Sequence, residues 1–388
     1  MVGKLGIDNI KETWIVKKNE EKETKGCNEE ATEKNNIALN YKLRFNVKSN
    51  NTVSNSIIDP RNAINAMYFG NMVNGTKQKE IKKVYKETIF NPQNVEMTVI
   101  CFIPELMETI CQYVQEFFVT ENFGTRQSKG FGGYTVISIG NKNVNLSEAQ
   151  IADALCKKYG AMKCYKFDGG VNSGEALERI RIIYSIIKSG ANYGYTKPKL
   201  YRRSLLFVYL KDKNKFNNGK GIGNEKAFLK QHGMAPKVPD YHKNHDGEDP
   251  RYTRALLGVG DTMFGPKRDE KVTLSDKNKI IKRYPSTIFF KIIGNTVYYV
   301  GKRISKDILG ASFEFSSYYQ HRKKTETLKV PTIEDGVDEN FMDGFLEYCK
   351  KELNNQNPKE GDSLNQFLSI ILKKRNLRVE IQEAGKHG

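Results

Sequence analysis

Tryptophan is nearly absent from this 388-residue chain, where Trp14 stands alone. Cysteine is sparse as well. Cys27, Cys101, Cys111, Cys156, Cys164 and Cys349 are scattered, and no two form a C-x-x-C pair. That spacing marks neither a zinc ribbon nor a redox motif, and a chain of this length needs no disulfide framework. No run approaches 18 apolar residues, which excludes a membrane-spanning helix. The opening Met-Val-Gly-Lys-Leu-Gly-Ile-Asp has no apolar h-region, so the expectation is a cytoplasmic protein with reduced thiols. Acid is short relative to base: 45 Asp and Glu face 63 Lys and Arg, for a net charge of +18.

Apolar residues make up 38% of the chain and aromatics 11%. This is enough to build cores and excludes global disorder. The length suits two or three domains. Half of the excess charge sits in residues 197–244, which hold twelve Lys or Arg and three acids. Clustered cations ease the approach of a polyanion, and phosphate contacts gain from counterion release. A solvated surface is the competing reading of such a run.

Along the chain, residues 1–36 suggest a short strand near Trp14 and a polar loop. Tyr41 to Val47 alternates with period two, as a half-buried strand does. Asp59-Pro60 suits the start of a helix over Ala63 to Phe69. Val95 to Phe102 is a β-rich run, and Pro104 opens an amphipathic helix. A glycine loop, Asn122 to Gly133, then leads to a strand over Tyr134 to Ile139. Ser147-Glu-Ala-Gln150 is a capping box that opens the next helix. The second half repeats the order. Met162 to Phe167 suggests a strand, Asp168 to Gly170 a turn, Gly174 to Lys188 a helix and Ser204 to Leu210 a strand. A polar basic insertion over 211–283 follows, then two strands around the hairpin signal Gly294-Asn295. Helices over Asn340 to Leu353 and Leu364 to Lys373 and a strand over Leu377 to Ile381 end the pattern. The expected fold is therefore α+β: two tandem ferredoxin-like (RRM-like) domains, 1–145 and 146–388, the second bearing the insertion.

The loop at 122–133 carries the clearest chemistry. It holds Gly124, Gly130, Gly132 and Gly133, with the cations Arg126 and Lys129. Glycines bring backbone N–H groups close to a phosphate, and successive N–H groups form an anion nest. Phe123, Phe131 and Tyr134 offer rings to stack on bases. The alternative is a tight helix-to-strand connection with Phe131 plugging the core. The Walker order is missing, and the loop follows a helix rather than the strand a dinucleotide loop requires.

Asn-Phe-Gly-Thr-Arg-Gln-Ser-Lys-Gly-Phe-Gly-Gly133, after an amphipathic helix and before a strand, resembles the glycine-rich loop of the RAMP superfamily, the RNA-binding subunits of CRISPR effector complexes. Arg254-Ala-Leu-Leu-Gly-Val-Gly260 and Lys282-Arg-Tyr-Pro-Ser286 are similar to segments of the large two-domain RAMP subunit of Cmr-type (type III) complexes. The loop departs from the family in having one cation where two are usual, and Arg283-Tyr-Pro-Ser286 replaces R-A-S-P. The resemblance implies a non-catalytic subunit that holds guide RNA, or a guide–target duplex, among other effector subunits. It implies RNA contacts at Gly124, Arg126, Lys129, Gly130, Phe131, Gly132 and Gly133. The basic segment adds Arg202, Arg203 and Lys220 as candidates.

A RAMP ribonuclease would place an acid near Asp59, although capping before Pro60 accounts for that residue. His242-Lys-Asn-His245-Asp246 could ligate a metal but sits in a polar loop. The expectation is no catalytic residue, no metal and no cofactor. The remaining rival is a structural protein whose sheets serve assembly alone.

Overall fold

The computed structural model describes residues 11, 13, 39–47, 95–124, 126–193, 200–218, 221–234, 249–260, 262–264, 271–278, 280–281, 283–319, 322–355 and 380–385. Asp59, the 63–69 helix, the strand at Trp14, Lys220, the 242–246 histidines and the 364–373 helix lie outside these residues. The chain divides into two compact units. One takes residues 1–119 and 135–145, the other 120–134 and 146–388.

In the first unit, β1 (Lys42–Val47) pairs antiparallel with β2 (Val95–Ile100), strands expected from the alternation of the one and the β-rich composition of the other. Helix α1 (Pro104–Thr120) buries Leu106 and Ile110 with Leu39, and Val99 and Tyr113 pack against them. The expected strand over Tyr134 to Ile139 shrinks to β3 (Ser138–Ile139), which turns back on β4 (Lys142–Asn143) at Gly140. Only these last residues have a pairing partner, and apolar alternation without a ladder does not make a strand.

Beyond the glycine loop, the second unit continues with α2 (Glu148–Tyr159), whose capping box forms as the sequence predicts. Then come β5 (Cys164–Asp168) and α3 (Ser173–Lys188), which Asn172 caps. After β6 (Ala191–Tyr193) and β7 (Leu200–Arg202), residues expected as a strand at 204–210 instead start helix α4 (Leu205–Asn218). Leu205, Leu206, Phe207 and Leu210 are all buried. A short run apolar on every side fits a buried helix as well as a buried strand, and the lysines beyond it continue the helix.

The 211–283 insertion is not a polar loop. It contains β8 (Ile222–Asn224), α5 (Glu225–Gln231), β9 (Asp249–Arg251), a 3-10 turn (Thr253–Leu257), β10 (Thr262–Phe264) and β11 (Lys271–Asp276). The hairpin β12 (Ile288–Ile293) and β13 (Thr296–Gly301) turns at Gly294-Asn295 as expected. A 3-10 turn (Lys306–Ile308), β14 (Ser312–Tyr319), β15 (Arg322–Lys329), α6 (Phe341–Asn354) and β16 (Gln382–Glu383) complete the described elements.

Two sheets organise this unit. One runs β12-β13-β5-β16, all antiparallel. The other, β10-β11-β14-β15-β9-β8, draws its strands from the inserted region and the β14–β15 hairpin. Phe290, Tyr299 and Tyr165 stack through the first sheet, and all three are fully buried. The fold is therefore mixed α+β with several sheets.

Candidate nucleic-acid interface

The glycine loop belongs to the second unit and packs there against the open edge of β12. Phe290 N–H donates to Ser128 O at 3.2 Å, and Lys129 bridges Phe290 in parallel. Asn122, 3% exposed, donates through Nδ2 to Phe290 O at 2.8 Å and to Gln127 O at 2.6 Å. The loop thereby covers a strand edge that would otherwise present unpaired backbone.

Its two ends meet over one buried lysine. Lys291 is 0% exposed, and its ammonium donates to Glu121 O (2.8 Å), Tyr134 O (2.9 Å) and Asn122 Oδ1 (3.2 Å). Desolvation pulls it down to about 7. Neither Lys291 nor Asn122 is among the site residues the sequence pattern marks. A lone lysine in Ile-Phe-Phe-Lys-Ile-Ile293, a run otherwise apolar, was the available signal.

The glycines do unequal work. Gly124 has φ +81° and open space around it. Gly130 has φ +81°, and a Cβ there would meet Ile180 Cδ1 at 2.8 Å. At Gly132, φ +69°, a Cβ would lie 1.8 Å from the Phe123 carbonyl oxygen. Phe123 N–H donates to Gly132 O at 2.9 Å, and Asn122 pairs with Gly133. The close approach of the two arms therefore requires a residue without a side chain.

Arg126 is the one non-glycine residue with positive φ among those described, at 56°. That left-handed conformation costs roughly 1–2 kcal/mol for an L-residue. Strain of this kind tends to be retained where it positions a functional side chain. Arg126 is half-buried, and desolvation lowers its guanidinium pKa from the usual range.

Lys129 turns inward. Its ammonium lies 2.7 Å from the centre of the Tyr184 ring and donates to Ser286 Oγ at 3.1 Å. Burial holds it well below the ordinary lysine value, and Lys188, Arg126 and Lys302 push it further down. Among the described residues no carboxylate lies within ion-pair distance of it. Phe131 also turns inward. Its ring is 3% exposed, so it fills the core and presents no face to a base. The outward rings are Phe123 and Tyr134, 38% and 39% exposed.

The two downstream segments singled out in the sequence converge on the same place. Val259 N–H donates to Tyr284 O at 2.9 Å, and Thr287 Oγ1 donates to Leu256 O at 2.8 Å. Tyr184 Oη donates to Leu257 O at 2.7 Å and lies 3.4 Å from Ser286 Oγ. Lys188 donates to Leu257 O and Gly258 O, and burial pulls it down to about 7. Arg254 is paired with the buried Glu225, which also accepts from Thr253 Oγ1 at 2.8 Å. Ser286 thus joins the glycine loop, through Lys129, to the 254–260 segment.

The other candidates fall elsewhere. Arg202 ends β7, and Arg203 sets its guanidinium 5.5 Å from the Phe207 ring at the start of α4. No group of three or more His, Cys, Asp or Glu among the described residues is placed to hold a metal ion. No described helix is long and apolar enough to cross a membrane.

Neither the curated proteins nor the solved structures gave a match to this chain. Protein-family comparison did: residues 3–191 match the Cmr1 N-terminal domain and residues 201–379 the Cmr1 C-terminal domain. With the two domains in order over most of its length, the chain belongs to the Cmr1 family, which points to a subunit of a type III CRISPR effector complex.

Proposed function

We propose that the protein is an RNA-binding subunit of a type III effector ribonucleoprotein, holding guide RNA or the guide–target duplex without cleaving it, in the cytoplasm and among other subunits. The observation that carries this reading is Arg126, held at positive φ on a loop tied to β12 through Asn122 and Lys291, and to Ser286 and Tyr184 through Lys129. A half-exposed cation on a backbone already locked in place suits a phosphate contact, because little loop ordering remains to be lost on binding. The +18 charge supports the same partner. We also propose that the chain is two tandem RAMP domains of ferredoxin-like plan. The β12-β13-β5-β16 order, with α3 following β5 and α6 following β13, supports this for the second unit.

The test is Arg126→Gly, with binding read by fluorescence anisotropy of a labelled RNA at several salt concentrations. Glycine accepts φ 56° freely, so stability should stay within about 1 kcal/mol of the parent. The RNA affinity should fall, and the slope of log K against log salt should flatten by roughly 0.7 if the arginine meets a single strand. Unchanged affinity and slope would remove the loop from the RNA contact. Release of shortened RNA in the presence of Mg²⁺ would replace the holding role by a nuclease.

A further inference from the structure

We infer that Phe123 and Tyr134 form a stacking platform for an unstacked base, so that this loop takes single-stranded RNA rather than duplex. This rests on the reading of the loop as an RNA contact and narrows it to a substrate class.

The argument begins with the backbone. Asn122 pairs antiparallel with Gly133, which puts Gly132 opposite Phe123 and Tyr134 on the diagonal. Gly132, opposite Phe123, has no side chain, and the diagonal neighbour is within reach of an aromatic. The ring centroids lie 6.3 Å apart at 51°, an open V rather than a closed stack. Both rings are more than a third exposed, whereas Phe131 on the same loop is buried. Their backbones are fixed. Phe123 N–H is bonded to Gly132 O, and Tyr134 O to the Lys291 ammonium. Rings on a pinned backbone lose little freedom when a ligand covers them.

A base in a duplex has both faces occupied by its neighbours, so only a splayed base can use such a platform. Arg126, on the same loop, supplies the charge for a flanking phosphate. Every base has a π-face, so the site should tolerate any sequence.

The experiment compares three ligands on the full chain at fixed salt: a labelled single-stranded RNA, the same strand annealed to its complement, and the same strand carrying abasic residues. The parent should favour the single strand over both by roughly tenfold. Phe123→Leu and Tyr134→Leu keep apolar bulk but lose the flat face. Each should bind the single strand roughly tenfold more weakly, bind the abasic strand as the parent does, and leave the salt slope unchanged. Tyr134→Phe should bind as the parent does. Circular dichroism melting identifies any leucine variant that fails to fold, and the three-ligand comparison on the parent then carries the test, equal binding of single strand, duplex and abasic strand overturning the platform. Equal binding of single strand and duplex by the parent, with both leucine variants unaffected, would overturn the platform. Arg126→Gly would still weaken binding in that case, so the RNA reading would survive. If Arg126→Gly also binds normally, the RNA reading itself fails. If the leucine variants bind RNA normally but lose a co-purifying protein subunit, the pair is a protein contact and the inference is wrong.

Discussion

Gly132→Val is expected to lower the melting temperature by at least roughly 6–12 °C, equivalent to about 3 kcal/mol in a unit of this size. Two costs add. The valine Cβ would lie 1.8 Å from the Phe123 carbonyl oxygen, a backbone atom that cannot swing away. A β-branched residue is also strained at φ +69°. The arms of the loop must separate, which breaks the Phe123–Gly132 hydrogen bond and carries Phe123 away from Tyr134. RNA affinity should fall together with stability. Gly124→Ala is the internal comparison. Its φ is +81° but nothing lies within 4 Å, so only the conformational cost of about 1–2 kcal/mol remains. Equal melting shifts for the two variants would mean that the close approach at Gly132 does not hold the loop together.

Lys291→Met is expected to cost about 3–5 kcal/mol, read by denaturant unfolding. It removes the donor shared by Glu121 O, Tyr134 O and Asn122 Oδ1, and a thioether of similar length satisfies none of them. The same lysine sets a pH dependence. Its pKa lies at about 7 in the folded protein, below the ordinary lysine value. Between about 7 and the unfolded value near 10.4, the unfolded chain holds a proton that the native chain has released. Stability therefore rises with pH across that window, by up to about 2 kcal/mol between pH 7 and 9. Lys188, also brought to about 7, acts in the same direction. Lys291→Met should remove its share of the slope and leave that of Lys188. A parent whose stability falls from pH 7 to 9 would contradict the burial of both ammonium groups.

Local signals in the sequence were reliable where the backbone itself is the signal. The Ser147 capping box, the Gly294-Asn295 turn, the alternation of β1 and the β-branched run of β2 depend on neighbours a few residues away, and each formed. Leu205 to Leu210 is helical where its pattern predicts a strand, because burial on all sides erases the period that separates the two. The insertion departs from its pattern for a related reason. β8 to β10 have three residues each, and their ladders need distant partners: β8 and β9 pair with each other, β9 also with β15, and β10 with β11. At the loop, sequence located the glycines and cations but not their directions. Lys129 and Phe131 turned inward because Tyr184, Ser286 and the core, distant in sequence, receive them.

The four-stranded sheet has a kinetic consequence. β5 lies at its centre, with β13 on one side and β16 on the other. Glu383 pairs with Tyr165, and Tyr299 pairs with the same residue from the opposite edge. A ribosome must therefore deliver more than two hundred residues after β5 before that strand has both neighbours. Closing such long loops precedes any gain from the contacts they bring, so folding of this unit should be slow. The half-built sheet leaves β5 edge-exposed during synthesis, a state prone to pairing with other chains. Yield of soluble protein on expression should depend more on elongation rate and chaperone supply than on the stability of the finished fold.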